Sequence, residues 1–125
     1  MPDGPRDYDR EYTYPIGANA RVRNGSSRDR DTITRFVVQL EYRLGDDWVA
    51  VVRFDHDADG PEEMTHDVTE EGVHMDVYRD GEKVDVVVIT GPVPAAVGYT
   101  AAEEHLAEHA ERYLTRFQEW HPTDT

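Results

Sequence analysis

Hydrophobic and polar positions alternate most cleanly over residues 35–44. Phe36, Val38, Leu40, Tyr42 and Leu44 take one side of a two-residue period, and Arg35, Val37, Gln39, Glu41 and Arg43 take the other. That is the pattern of a half-buried strand. Gly45, Asp46 and Asp47 form a turn, and residues 48–54 return as a second strand. Trp48, Ala50, Val52 and Phe54 are expected on one face of it, Val49, Val51 and Arg53 on the other. Both faces are largely apolar, which suits a central position. Upstream, residues 12–14 suit a short strand stopped by Pro15. Residues 20–23 suit another, ended by an Asn24-Gly25 turn, with 26–31 as a polar loop. Downstream, residues 55–63 form an acidic loop. Val73, Met75 and Val77 then alternate with His74, Asp76 and Tyr78. Asp80-Gly81 is a two-residue hairpin signal, and residues 82–89 run back as a valine-rich strand.

The last element predicted is a helix over residues 100–120. Thr100 and Glu103 have capping-box spacing, and Ala102, Leu106, Ala110, Tyr113, Leu114 and Phe117 fall on one stripe. One amphipathic helix and four to six antiparallel strands bury their apolar faces most simply as an α+β sandwich, with the helix across one face of the sheet. Leu106, Tyr113 and Phe117 are expected against Phe36, Val38, Leu40, Val52 and Val86. The domain is expected over residues 11–121, between a flexible arm (1–10) and a flexible tail (122–125).

Composition sharpens this picture. The chain has 125 residues, no cysteine, and 27 acidic against 13 basic residues, for a formal charge of −14. Lack of cysteine excludes disulfides, thiolate metal sites and a cysteine nucleophile. No apolar run reaches the roughly 20 residues of a membrane-spanning helix, and the N-terminus is too polar for a signal peptide, so a cytoplasmic location is expected. The bases are twelve arginines and one lysine, Lys83. Low lysine, abundant aspartate and strong negative charge fit a halophilic cytosol, where molar salt cuts the Debye length to about 3 Å and screens self-repulsion. Residues 1–35 carry a balance of +1 and residues 36–125 one of −15.

Three constellations could carry chemistry. Asp55-His56-Asp57-Ala58-Asp59-Gly60 matches the first half of a calcium loop, with Asp55, Asp57 and Asp59 as candidate ligands. The twelfth position, where a bidentate glutamate belongs, holds His66, and Glu62 or Glu63 is the nearest substitute. His105, Glu108 and His109 spell the inverted zinc-peptidase motif, without an evident third ligand. Arg53, His56, His66 and His74 would suit acid–base cleavage of RNA. One imidazole would take the 2′-hydroxyl proton, another would protonate the leaving oxygen, and the guanidinium would hold the phosphate. Ser26 and Ser27, the only serines, lack a nucleophile-elbow context.

The segments RFVVQLEYRLGDDWVAVVRFDHD, THDVTEEGVHMDVYRDGEK and AERYLTRFQEWH resemble a small haloarchaeal family of uncharacterised proteins, over most of the chain past residue 10. The resemblance implies the α+β fold and a halophilic origin. More remotely, W-x-x-V-V-R-F-D-H is similar to a motif in predicted toxins of toxin–antitoxin pairs. There a histidine closely follows the Asp-bearing strand end, whereas Asp57 and Asp59 intervene here.

Two function classes follow. The first is a non-enzymatic interaction module with a protein partner, belonging to a two-gene regulatory pair. The second is a ribonuclease-like toxin using Arg53, His56, His66 and His74, with RNA as its partner. Neither requires a membrane or a cofactor beyond the calcium considered above.

Overall fold

A computed structural model describes residues 8–60 and 65–121. Among them, six strands form one antiparallel sheet in chain order: β1 (Arg10–Gly17), β2 (Ala20–Asp29), β3 (Thr32–Leu44), β4 (Asp47–Asp57), β5 (His74–Arg79) and β6 (Glu82–Val88). A one-turn helix, α1 (Val68–Glu71), lies between β4 and β5, and the long helix α2 (Ala95–Trp120) follows β6. The protein is an α+β meander with one C-terminal helix packed against the sheet. No described helix is long and apolar enough to cross a membrane.

Alternation along β3 governs the core. Phe36, Val38 and Leu40 are buried beneath α2 together with Val22, Val52, Phe54, Met75 and Val77, and α2 contributes Ala102, Leu106, Tyr113 and Phe117. The opposite face carries Arg53, Asp55, Asp57, His74 and Asp76. Register puts Gln39 beside Arg53, Val37 beside Asp55 and Arg53 beside Asp76. Val86, expected in the core, is 42% exposed because its partner Asp76 belongs to this polar face. Trp48 also lies on the polar side. An irregularity between Leu40 and Glu41 advances the register so that Trp48 pairs with Arg43, and the Arg21 guanidinium covers its ring at 4.1 Å.

Two boundaries differ from expectation for identifiable reasons. Strand β2 runs through Asn24-Gly25 instead of turning there, and with it Ser26 to Asp29 join the ladder rather than a loop. Asn24 is 1% exposed, and its side-chain amide donates to Glu103 Oε2 at 2.9 Å and accepts from the Tyr99 hydroxyl. A Cβ on Gly25 would stand 2.9 Å from the Tyr8 ring, so a bare backbone lets the tyrosine lie on the strand. Helix α2 starts at Ala95, capped by Pro94, rather than at Thr100. Thr100 therefore sits inside the helix, where its spacing to Glu103 cannot make a capping box, and Glu103 bonds Asn24 instead. Residues 1–7 and 122–125, within the expected arm and tail, lie outside the described residues. Asp9, read as arm, donates its amide to Ser27 Oγ at 3.2 Å and accepts from the Arg28 amide at 3.2 Å.

Candidate functional site

The β4–β5 connection folds back over the polar face. Its His66 is fixed through the backbone first: the His66 amide donates to Asp55 Oδ1 at 2.9 Å, and the Asp57 amide donates to the His66 carbonyl at 2.9 Å. Only Val52–Val77 and Arg53–Asp76 pair between β4 and β5. The end of β4 is thereby free of β5 and bonds this returning segment instead.

Around His66 the charged groups form one network. Its Nε2 lies 3.1 Å from Asp76 Oδ1 and its Nδ1 lies 3.1 Å from Glu71 Oε1. Asp76 is 1% exposed and meets Lys83 Nζ at 3.4 Å through its other oxygen. The hydrogen bond to Asp76, helped by that to Glu71 and opposed by burial, raises the His66 imidazole to about 9. At neutral pH both ring nitrogens therefore donate. Burial pushes the Asp76 carboxyl up, but the hydrogen bond and charge of His66, with Lys83, hold it below its ordinary value. The Glu71 carboxyl is lowered by the same imidazole.

His74 stacks on His66 with ring centroids 4.9 Å apart and planes within 6°. Its Nδ1 is 3.2 Å from the Gly72 carbonyl, which can only accept, so Nδ1 carries a hydrogen. Arg53 donates from Nε to Asp55 Oδ2 at 2.9 Å and from Nη1 to Gln39 Oε1 at 3.2 Å. Burial opposes its charge, but Asp55 outweighs that and raises the guanidinium pKa.

The four residues proposed for RNA cleavage thus divide. Arg53, His66 and His74 share the polar face. His56 lies on the helix side, 4% exposed and stacked against Phe36, and its Nδ1 accepts the Val68 amide at 3.0 Å. It holds the start of α1 as a neutral ring. Burial, partly opposed by Asp67 and Asp55, lowers its pKa.

A pH prediction follows from that neutrality. Below 6.5 the unfolded chain takes a proton that folded His56 resists, so its contribution, complete above 6.5, is lost as pH falls through the lower folded value. Burial lowers His105 too, so it adds to the same limb. Thermal melts from neutral to mildly acid pH should show falling stability. His56→Asn, which keeps an acceptor for Val68 but cannot titrate, should flatten the slope. An unchanged slope in that variant would assign the whole limb elsewhere.

In the candidate calcium triplet, two of the three carboxylates have protein partners. Asp55 gives its oxygens to Arg53 and the His66 amide, and Asp57 Oδ1 accepts the Asp59 amide at 3.1 Å in a turn. Glu62 and Glu63 lie outside the described residues. In the H-x-x-E-H segment, His105 Nε2 meets the Tyr113 hydroxyl at 2.6 Å, while His109 Nδ1 accepts from Arg112 at 3.3 Å. Among the described residues, a group of three with ligand atoms all within 4.8 Å of one another is formed instead by His66, Glu71 and His74. Glu71 is absent from the sequence-based candidates. Its spacing, five residues after His66, has no motif behind it; the one-turn helix makes the approach.

A family model described as a domain of unknown function (DUF7718) matches residues 6–123. The chain belongs to this family. The match covers every element of this DUF7718 domain, from β1 to α2. No curated protein and no solved structure matches it.

Proposed function

We propose that this DUF7718 domain is a protein-interaction module that takes a basic segment with apolar anchors, one member of a two-gene regulatory pair. One observation carries the reading. Helix α2 covers the centre of the sheet but leaves bare the helix-facing side of edge strand β1, where Tyr12, Tyr14 and Ile16 are 44%, 42% and 40% exposed. Between that strand and the helix runs a groove of about 450 Å³, lined by Tyr14, Ile16, Leu106, Ala110, Leu114 and Glu111 among others. A mostly apolar groove with one glutamate, on a chain of charge −14, complements a cationic amphipathic partner. Strand β1 is also an edge of the sheet among the described residues, where a partner strand could add.

The ribonuclease reading has less support. Arg53 is neutralised by Asp55, both nitrogens of His66 are engaged by carboxylates, and Asp55, Glu71 and Asp76 would all repel a phosphate.

Calorimetric titration with a short amphipathic leucine–lysine peptide tests the proposal. Wild type should bind it, and a leucine–glutamate peptide should not bind. Ile16→Asp should weaken binding about tenfold or more, the worth of burying one aliphatic side chain. Equal binding by wild type and Ile16→Asp overturns the assignment. So does concentration-dependent self-association that Ile16→Asp abolishes, since the groove's occupant would then be a second copy.

A further inference from the structure

We propose that His66, Glu71 and His74 form a binding site for a divalent transition-metal ion, of which zinc is the best fit. A ring nitrogen from each histidine and a carboxylate oxygen of Glu71 come within 4.8 Å of one another. Ligands of a tetrahedral zinc at about 2.0–2.1 Å stand a little over 3 Å apart. The side chains therefore need to close by no more than about 1.5 Å, and Glu71, with its side chain 46% exposed, is free to do so.

The second argument is that the outer hydrogen bonds such ligands need are already made. Metal-bound histidines characteristically donate their other ring N–H to a carboxylate or a carbonyl. Here Asp76 Oδ1 takes the Nε2 hydrogen of His66, which points Nδ1 at Glu71, and the Gly72 carbonyl takes the Nδ1 hydrogen of His74, which leaves Nε2 as the nitrogen a metal would take. Glu71 is steadied by the Asp67 amide, 3.1 Å from its Oε2. The two imidazoles lie parallel and in contact, so one ring must tilt out of the stack for both in-plane lone pairs to meet a shared cation. An ion here takes the place of the proton that His66 Nδ1 shares with Glu71.

Ligand chemistry sets the metal class. Two imidazole nitrogens and one carboxylate suit zinc and its neighbours and disfavour calcium and magnesium, which select oxygen. Three protein ligands leave a fourth position for water or for a group brought by another molecule. Two features separate this site from the H-x-x-E-H segment: it draws on the β4–β5 connection and β5, and it lies on the sheet face away from α2.

The test uses the full chain, stripped with chelator and titrated with zinc alone, then with cobalt as a spectroscopic probe. One equivalent should bind, with intense visible cobalt bands reporting a tetrahedral nitrogen–oxygen site. His74→Ala should weaken zinc binding more than about 100-fold, beyond what loss of a supporting residue costs. Glu71→Gln should weaken it too, and calcium should not compete. Glu71 is exposed and His74 half-buried, and unchanged circular dichroism would establish that the variants fold. His105→Ala, on α2, should leave affinity unchanged. No stoichiometric zinc binding by wild type overturns the proposal, as does binding indifferent to His74→Ala or lost in His105→Ala.

Discussion

Gly72→Ala is expected to cost about 3 kcal/mol or more, from a backbone region closed to other residues and a collision that no side-chain motion relieves. Gly72 ends α1 with φ 85° and ψ −179°, and its N–H bonds the Val68 carbonyl at 3.1 Å. A Cβ there would fall on the Thr90 carbonyl oxygen and 2.7 Å from the Gly91 carbonyl carbon, both backbone atoms. The 89–93 segment cannot step aside cheaply. Ile89 donates to the Val73 carbonyl at 2.8 Å, and Val93 donates to the Val68 carbonyl at 3.1 Å. For a domain whose total stability is of order 5–15 kcal/mol, the loss should lower the melting temperature by about 10 °C. Urea unfolding measures it directly, and a change below about 0.5 kcal/mol, the range of an ordinary surface substitution, would refute this account of the contact.

The second large effect is expected at Asp76. Its carboxylate is almost fully buried and answers two cations, His66 Nε2 at 3.1 Å and Lys83 Nζ at 3.4 Å. Removing one member of a buried pair leaves the other charge without compensation, at a cost of about 3–5 kcal/mol. His66 keeps Glu71 and Lys83 is one-third exposed, so Asp76→Ala should fall at the lower end, about 3 kcal/mol. A double-mutant cycle adds a sharper criterion. Lys83→Met should cost less in the Asp76→Ala background than in wild type, because its partner is already gone. Equal costs in both backgrounds would mean that the 3.4 Å approach carries no energy.

The strands were legible where burial follows alternation, as from Phe36 to Leu40, and at Asp80-Gly81, whose positive φ values of 56° and 81° form the expected hairpin turn. Reading failed where a distant residue changes what a local pattern means. Asn24-Gly25 looks like a turn until Glu103, 79 positions away, and the Tyr8 ring are in place. Thr100 and Glu103 look like a cap until residues 95–99 extend the helix ahead of them. A single irregularity in β3–β4 pairing, invisible in composition, sends Trp48 to the other face. In the site, alternation alone puts Arg53, His74 and Asp76 on one face. The approach of Glu71 depends on α1, whose four residues are too few for any periodic signal. His56 reads as a site residue because its neighbours in sequence are acidic, whereas its neighbours in space are Phe36 and the start of α1.

The two-pair ladder between β4 and β5 has a mechanical consequence. Every other neighbouring pair of strands is stitched along most of its length, so the sheet behaves as two stiff panels, β1–β4 and β5–β6, joined at a narrow seam. His66 straddles that seam, its amide on Asp55 of one panel and its ring on Asp76 of the other. It is the rivet where main-chain stitching is sparsest. Whatever His66 holds, proton or metal, therefore sets how firmly the hairpin panel is clamped to the rest of the molecule, and hydrogen exchange of the β5–β6 amides would register its release before the panel beneath α2 loosened.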